Sequence, residues 1–269
     1  MKYRNDSREV TRVERERAVV RGTQPEGSGD EQDAARRVRD MFSRIAPRYD
    51  FLNHFLSASF DTLWRAKTAR HFAGILSRPD ARVLDLCCGT GDLAFALAKR
   101  AVRLAGSTGG RFFGADFSLP MLELASQKNS TQLGSVTFFA ADALALPFED
   151  SSFDLVATAF GFRNLANYER GLCEILRVLR PGGRLGILEF CEPRSGVLAA
   201  LFRYYFTRVL PRIGGAISGS GEAYSYLPTS VQKFPNPETL KSWIEDAGFK
   251  DVSYERWTFG AVALYGATR

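Results

Sequence analysis

A glycine-rich turn and three acidic residues are the features of this 269-residue sequence that could do chemistry. The turn lies in VLDLCCGTGDLAFALAKR, where Gly89 and Gly91 let the backbone approach a ligand closely. Asp85 precedes the turn, Asp116 follows in RFFGAD, and Asp142 follows in VTFFAAD. Carboxylates beside such a turn disfavour a bound pyrophosphate and favour a cationic ligand. The alternative is that Asp85 only accepts hydrogen bonds from the backbone of the turn.

Short apolar runs alternate with helical stretches around these residues, as in a parallel sheet covered by helices on both faces. The runs are RVLDLCC, RFFGADF, VTFFAAD, FDLVATAF and GRLGILEF, and the helices between them include DLAFALAKRAV, LPMLELASQKN and YERGLCEILRVLRPGG. This pattern predicts an α/β, doubly wound fold. Near the end of the sequence a helix stopping at Gly248 precedes two further predicted strands, KDVSYERWTF and AVALYGATR, which could form an antiparallel hairpin.

The predicted fold would place the three acids at the carboxyl ends of three consecutive strands, the edge at which such sheets bind ligands. There Asp116 could accept hydrogen bonds from both hydroxyls of a ribose, and Asp142 could reach an adenine amino group. S-adenosylmethionine carries an ammonium and a sulfonium group and has no phosphate, so it suits this turn better than a dinucleotide does. We therefore predict S-adenosylmethionine as the cofactor and a methyltransferase as the enzyme class.

Composition and charge limit the function classes. Apolar residues make up 45% and charged residues 25%, as in folded domains, and no apolar run is long enough to predict a membrane span. The charged start lacks the apolar core of a secretory signal and favours a cytoplasmic location. The sequence has two histidines and four cysteines, of which Cys87 and Cys88 are adjacent and the other two stand alone. These numbers and spacings predict neither a metal site nor a disulfide framework. A net charge of +6 and a pI near 9.2 favour an anionic partner, either nucleic acid or a membrane surface.

Segments outside the predicted sheet have their own patterns. Residues 1–30 contain few large apolar residues and predict a disordered charged tail. Helices are predicted across residues 31–78, the first stopping at Pro47 and the second spanning Asp61 to Leu76. Residues 195–235 interrupt the alternation of strands and helices after the fifth strand, where a lid on the substrate side would lie.

The sequence also resembles the ubiquinone/menaquinone biosynthesis C-methyltransferases, from about Met41 to Arg269. YDFLNHFLSASFDTLW is similar to the first signature of that family and RVLRPGGRLGILEFC to the second, and FGFRN, LPRIG, YSYL, DAGF and GAVALYGA are similar too. The resemblance implies a class I S-adenosylmethionine-dependent methyltransferase fold with seven strands, across residues 31–269. It also implies cofactor contacts, with alanine at the last position where serine is usual: Thr90, Asp116, Asp142, Ala143 and Ala159.

The resemblance further implies the reaction, a methyl transfer to a ring carbon of a polyprenylated quinol in menaquinone biosynthesis or in the equivalent step towards ubiquinone. An aromatic carbon attacks well only when a neighbouring hydroxyl is close to ionised, and phenols have a pKa of about 10. Arg163 keeps its charge and could stabilise the developing oxyanion. Asn164, Tyr49 and Asp50 are candidates for positioning the ring and relaying the proton. The alternative is that the Arg163–Asn164 pair only closes a loop.

Predictions about partners follow from the same features. Enzymes that methylate nucleic-acid bases tend to carry an Asn/Asp-Pro-Pro-aromatic turn after the fourth strand, and its absence argues against nucleic acid. The stretch VLAALFRYYFTRVLPR, within residues 195–235, suits a helix that covers a prenyl tail or touches an anionic membrane, or an ordinary packed helix. The sequence leaves open whether the protein forms a homodimer. The alternative functions are methylation of another small aromatic acceptor and cofactor binding without catalysis.

Overall fold

Seven strands form one sheet in the order β3-β2-β1-β4-β5-β7-β6. The computed structural model describes residues 22–25, 27–57, 59–106, 110–132, 135–191, 193, 196, 200, 204, 208 and 221–269. The strands are β1 (Arg82–Leu86), β2 (Arg111–Asp116), β3 (Val136–Ala140), β4 (Phe153–Ala159), β5 (Leu179–Phe190), β6 (Lys250–Trp257) and β7 (Val262–Thr268). The first five are parallel, and β7 runs antiparallel to β5 and β6. The predicted doubly wound, mostly parallel sheet with a closing antiparallel hairpin is confirmed.

Helices cover this sheet on two faces, and two short 3₁₀ turns, Phe162–Asn164 and Thr258–Gly260, lie between strands. Along the described chain the helices are α1 (Glu31–Leu56), α2 (Phe60–His71), α3 (Ala73–Leu76), α4 (Asp92–Ala105), α5 (Leu119–Asn129), α6 (Tyr168–Val178), α7 (Gly221–Lys233) and α8 (Pro237–Asp246). Four of the predicted helices appear as α4, α5, α6 and α8. The predicted helix from Asp61 to Leu76 is divided into α2 and α3.

Alternation along β1 explains how the sheet separates two cores. Leu84 and Leu86 join one apolar cluster with residues of α6 and α8, and Val83 joins the opposite cluster with residues of α2 and α4. Successive side chains of a strand point to opposite faces, so a buried central strand reads as a continuous apolar run. The sheet thereby holds the carboxyl ends of β1, β2 and β4 in fixed positions at one edge.

The prediction that the first helix stops at Pro47 is wrong, because α1 continues to Leu56. Proline inside a helix removes one backbone hydrogen bond and costs about 3 kcal/mol. Packing on both sides offsets this cost: Ile45 and Ala46 are buried before the proline, and Tyr49 lies against the glycine turn after it. Tertiary contact therefore overrides the local signal.

The predicted disordered tail is also wrong where it reaches residues 22–25. Thr23 is buried, its N–H donates to the carbonyl of Leu165 at 2.7 Å, and its hydroxyl lies 2.9 Å from that of Tyr226. Backbone pairing and one buried hydroxyl hold this segment, although it carries no apolar pattern. Residues 1–21 lie outside the described residues. So does most of the stretch VLAALFRYYFTRVLPR, whereas α7 forms most of the described part of the predicted 195–235 insertion.

Candidate cofactor and acceptor site

A cleft opens at the carboxyl edge of β1, β2 and β4. Seven of the predicted site residues line it: Tyr49, Asp85, Gly89, Thr90, Asp116, Ala159 and Asn164. Other lining residues were not predicted from the sequence, among them Phe42, Arg65, Phe117, Met121 and Phe160.

The glycine turn forms the floor of the cleft between β1 and α4. Cys87, Gly89 and Gly91 all have positive φ values, of 55°, 54° and 85°. A Cβ at Gly91 would lie 2.9 Å from the rings of Phe95 and Phe138, so only glycine fits there. The turn therefore reverses the chain within a few residues and leaves its backbone close to any bound ligand.

Asp85 is one of two buried carboxylates in the cleft. It is 2% exposed, and its Oδ2 accepts a hydrogen bond from the Ala94 N–H at 2.8 Å. Burial raises the pKa of Asp85 well above its usual value, and the Ala94 N–H and the charge of Arg65 offset only part of this. The backbone hydrogen bond considered as an alternative role is thus present, and the same carboxylate also lines the cleft.

Asp116 is the second buried carboxylate, at the end of β2. Its two oxygens accept hydrogen bonds from the N–H groups of Gly89 at 2.8 Å and Ser118 at 2.9 Å. Burial raises the pKa of Asp116, and these two N–H groups act in the opposite direction. Each oxygen keeps a second lone pair for a ligand hydroxyl. Asp116 therefore joins β2 to the glycine turn and can still accept a hydrogen bond from a ligand hydroxyl.

Asp142 and Ala143 do not line the cleft. The Asp142 carboxylate accepts a hydrogen bond from the Leu144 N–H at 2.9 Å, and the residue forms an isolated bridge with Ala145. Ala143 is buried in the core cluster beneath. The structure thus brings together two of the three acids that the sequence predicted at this site.

The helix α1 forms a roof over the glycine turn through a chain of polar contacts. The Thr90 hydroxyl donates to the Asp50 carboxylate at 2.5 Å, and Lys128 Nζ lies 2.6 Å from the other Asp50 oxygen. Lys128 also pairs with Asp92 at 2.8 Å. Asp50 is therefore one contact from the cleft wall. Lys128 was not predicted, since nothing in its own sequence context indicates a partner in α1.

Arg163 lies behind the cleft wall, in the turn that follows β4. It is 5% exposed, and its Nη1 donates to Glu189 Oε1 at 2.8 Å and to the Phe160 carbonyl at 2.5 Å. Its Nε donates to the Ser230 hydroxyl at 3.3 Å. Burial acts to lower the pKa of Arg163, but the charge and hydrogen bond of Glu189 together with the hydroxyls of Tyr226 and Tyr49 raise the net pKa. Arg163 therefore stays charged.

Asn164, the next residue, lines the cleft and is held by a residue from α7. The Tyr226 hydroxyl donates to Asn164 Oδ1 at 3.1 Å and lies 2.9 Å from the Thr23 hydroxyl. Burial raises the pKa of Tyr226, so the phenol stays protonated. Tyr226 and Glu189 lie in the quoted YSYL and GILEF stretches. Their contacts with the 160–164 turn depend on the folded arrangement, so sequence reasoning missed them.

The chemistry of the cleft fits S-adenosylmethionine. Asp85 and Asp116 offer carboxylates for a cationic group and for ribose hydroxyls. Arg65, the cation in the described cleft wall, is already paired with Asp61 and lies 3.7 Å from Asp92. A pyrophosphate would therefore meet carboxylates here and no unpaired cation.

Comparison with known proteins agrees with this geometry. A model of the ubiE/COQ5 methyltransferase family matches residues 30–269. The chain belongs to this family. Membership confirms the predictions of a methyltransferase and of S-adenosylmethionine as its cofactor.

Two relatives named demethylmenaquinone methyltransferase are similar over most of their length. One, from Thermus thermophilus, is 50% identical over 229 residues, which cover 85% of this chain and all of the relative. The other, from Deinococcus radiodurans, is 47% identical over 237 residues, which cover 88% and 94%. A solved S-adenosylmethionine-dependent methyltransferase from Thermotoga maritima has a TM-score of 0.57 at 20% identity, covering 86% of this chain and 99% of that chain. This last likeness confirms the class I fold.

None of the described helices is both long and apolar enough to span a bilayer.

Proposed function

We propose that the protein methylates a ring carbon of a polyprenylated demethylmenaquinol, with S-adenosylmethionine as the methyl donor. The observation that carries this proposal is the 160–164 turn, which places Asn164 in the cleft wall and the buried cation Arg163 directly behind it. The names of the two relatives support demethylmenaquinone over the ubiquinone precursor as the acceptor. Methylation of the ubiquinone precursor is the alternative within the family.

The cofactor side of the site consists of the glycine turn and its two acids. When bound, S-adenosylmethionine supplies a methyl group on a sulfonium that aromatic carbon can attack. Asp85 favours the cationic groups of the ligand, and Asp116 accepts from its ribose hydroxyls. Thr90 and Asp50 hold α1 over the turn. Both Asp50 oxygens are engaged, by Thr90 and Lys128, so we assign Asp50 to positioning and not to proton transfer.

The acceptor side must favour an ionised ring hydroxyl, whose ordinary pKa is about 10. Arg163 is a permanent buried charge, and its electrostatic interaction extends to the hydroxyl of Tyr49, which lines the cleft. A nearby buried cation favours the ionised form of a phenol bound in the cleft. Arg163 thus opposes the rise in the acceptor's pKa that burial and Glu189 cause, as it does for Tyr226, without taking up the proton.

Asn164 supplies a directed hydrogen bond at the cleft wall. Tyr226 donates to its Oδ1, which fixes the amide so that the Nδ2 hydrogens face other acceptors. One of these is the Phe160 carbonyl, at a long 3.5 Å. Asn164 can therefore donate to the acceptor oxygen as negative charge develops there. Tyr49, at the same wall, is the candidate that relays the proton towards solvent.

The test is a comparison of acceptors with the purified protein. The protein is incubated with labelled S-adenosylmethionine and, separately, reduced demethylmenaquinone, the reduced demethylated ubiquinone precursor, and an unprenylated naphthol, and products are identified by mass spectrometry. We expect C-methylation of demethylmenaquinol at the highest kcat/KM. If the ubiquinone precursor or the unprenylated naphthol has the higher kcat/KM, that compound is the acceptor and demethylmenaquinol is not. Cofactor binding without transfer to any of them would refute a catalytic role.

A further inference from the structure

The exposed face of α2 carries apolar side chains, and a groove between α2 and α4 is lined by cations. Three large apolar side chains are unusually exposed: Phe60 at 45%, Leu63 at 51% and Phe259 at 77%. Phe259 belongs to the 3₁₀ turn between β6 and β7 and has a φ of 57°, a left-handed value that is costly for an aromatic residue. Together with the cations described next, these residues are called the α2 surface.

Direct contacts join the apolar residues of the α2 surface to each other and to the cleft. Trp64 stacks on Phe60 with ring centroids 6.0 Å apart, and its Nε1 donates to the hydroxyl of Thr258, the neighbour of Phe259, at 2.8 Å. The same Trp64 ring lies 5.8 Å from the ring of Phe160, which lines the cleft. One layer of aromatic rings therefore separates the exposed apolar residues from the cleft.

Four cations line a groove between α2 and α4, to which Thr62 and Ala66 of α2 also contribute: Arg70, Lys99, Arg100 and Arg103. Among the described residues none of the four has a carboxylate partner within ion-pair distance. The groove acid Asp92 is already paired with Lys128 at 2.8 Å. On the other side of α2, Lys67 lies 4.1 Å above the Trp257 ring and 4.0 Å from Glu255. The α2 surface thus carries an excess of positive charge.

We propose that the α2 surface docks on an anionic lipid bilayer, an inference that rests on the proposed function because a polyprenylated acceptor resides in such a bilayer. Exposed aromatic and leucine side chains enter the interface, and unpaired Lys and Arg side chains contact anionic headgroups. Charge complementarity selects the partner, since four cations without a carboxylate partner among the described residues line a groove along the same helix that exposes Phe60 and Leu63. Docking in this orientation presents the carboxyl edge of the sheet, and hence the cleft, to the source of the acceptor.

Two double variants separate the apolar and the electrostatic contributions. Leu63→Gln with Phe259→Asn removes apolar groups that are already exposed, and asparagine tolerates left-handed backbone, so folding is preserved. Arg70→Gln with Arg103→Gln removes two of the unpaired cations. Each cation near an anionic surface changes binding by about fivefold, so the charge variant should bind about 25-fold more weakly. The apolar variant should lose roughly tenfold or more.

A control variant changes a residue far from the α2 surface. Lys250→Gln removes an exposed cation at the opposite edge of the sheet. Binding is measured by co-sedimentation with phosphatidylcholine vesicles, with and without phosphatidylglycerol. We expect wild type and the Lys250→Gln control to bind only vesicles that contain phosphatidylglycerol. Equal losses in control and test variants would overturn the assigned surface.

Activity measured in two formats distinguishes this inference from the proposed function. Demethylmenaquinol is presented either in anionic vesicles or in detergent micelles. The α2-surface variants should lose turnover in vesicles and keep it in micelles. Full vesicle binding and turnover by both variants would refute the docking surface and leave the proposed function intact, whereas a wild type inactive in both formats would refute the proposed function. Wild-type binding to a DNA oligonucleotide but not to vesicles, or conversion of a dimer to a monomer by these variants, would reassign the surface and overturn the inference.

Discussion

Replacing Arg163 by lysine keeps a positive charge behind the cleft and removes the planar fork of the guanidinium. Three side-chain hydrogen bonds from two nitrogens hold this residue, to Glu189, to the Phe160 carbonyl and to Ser230. Lysine has one nitrogen, so it can keep the ion pair with Glu189 but cannot also reach Ser230 from a second position. Hydrogen bonds to charged groups are each worth about 1.5–3 kcal/mol, so the turn loses a substantial part of its support.

The expected result is a kcat lower by roughly 10²-fold, because a small displacement of the 160–164 turn misplaces Asn164 and weakens stabilisation of the oxyanion. Cofactor affinity should barely change, since Arg163 does not line the cleft. The pKa of the bound quinol should rise, so the alkaline increase in kcat should move to higher pH.

The measurements are steady-state methyl transfer to demethylmenaquinol across pH, titration calorimetry with S-adenosylmethionine, and denaturant unfolding to verify that the variant is folded. The control is Arg180→Lys, since Arg180 pairs with Asp154 at 3.0 Å at the opposite edge of the sheet and should keep full activity. If the Arg163→Lys variant loses cofactor affinity while its saturated complex turns over normally, Arg163 belongs to the cofactor site and this reasoning is wrong.

Three further predictions follow from the same site. Cofactor affinity should rise with pH, because burial raises the pKa of Asp85 and a cationic ligand favours its ionised form, so binding releases a proton; calorimetry in buffers of different ionisation enthalpy measures that proton, and proton uptake would contradict the assignment. Tyr226→Phe removes two hydrogen bonds and should lower the free energy of unfolding by about 1–3 kcal/mol and kcat/KM by about tenfold. Tyr265→Phe, whose buried hydroxyl has no partner among the described residues, should be neutral in the same denaturant and kinetic assays. Deleting residues 1–21 should leave the melting temperature unchanged, and a deletion that also removes Thr23 should lower it, as differential scanning calorimetry would detect; equal melting temperatures for the two deletions would show that the Thr23 contacts contribute nothing.

The sheet could be predicted because its signals are local. Five apolar runs, three of them followed by a helical pattern, leave few arrangements other than a doubly wound sheet, and Asp85 and Asp116 occupy the expected edge. Periodicity of apolar residues and turn chemistry act within about ten residues of chain, so a single sequence displays them directly.

What could not be predicted depends on contacts between distant residues. Lys128 is an ordinary surface cation in its own helix and acquires a role only through Asp50, and Tyr226 acquires one only through Asn164. Pro47 signals a helix end that packing on both sides overrides. Asp142, at the predicted strand end, accepts a hydrogen bond from the Leu144 N–H, and its contact with an adenine amino group stays a prediction.

The position of β7 between β5 and β6 constrains the order in which the protein can fold during synthesis. β6 pairs with β7 and not with β5, so it has no partner until residues 262–268 have been made. Until then β5, which carries Glu189, is the unprotected border of a five-stranded sheet in a nascent chain, and such borders pair readily with other chains. The charge partner of Arg163 is thus secured only once β7 has been made, so chains that lack β7 should aggregate before they can methylate.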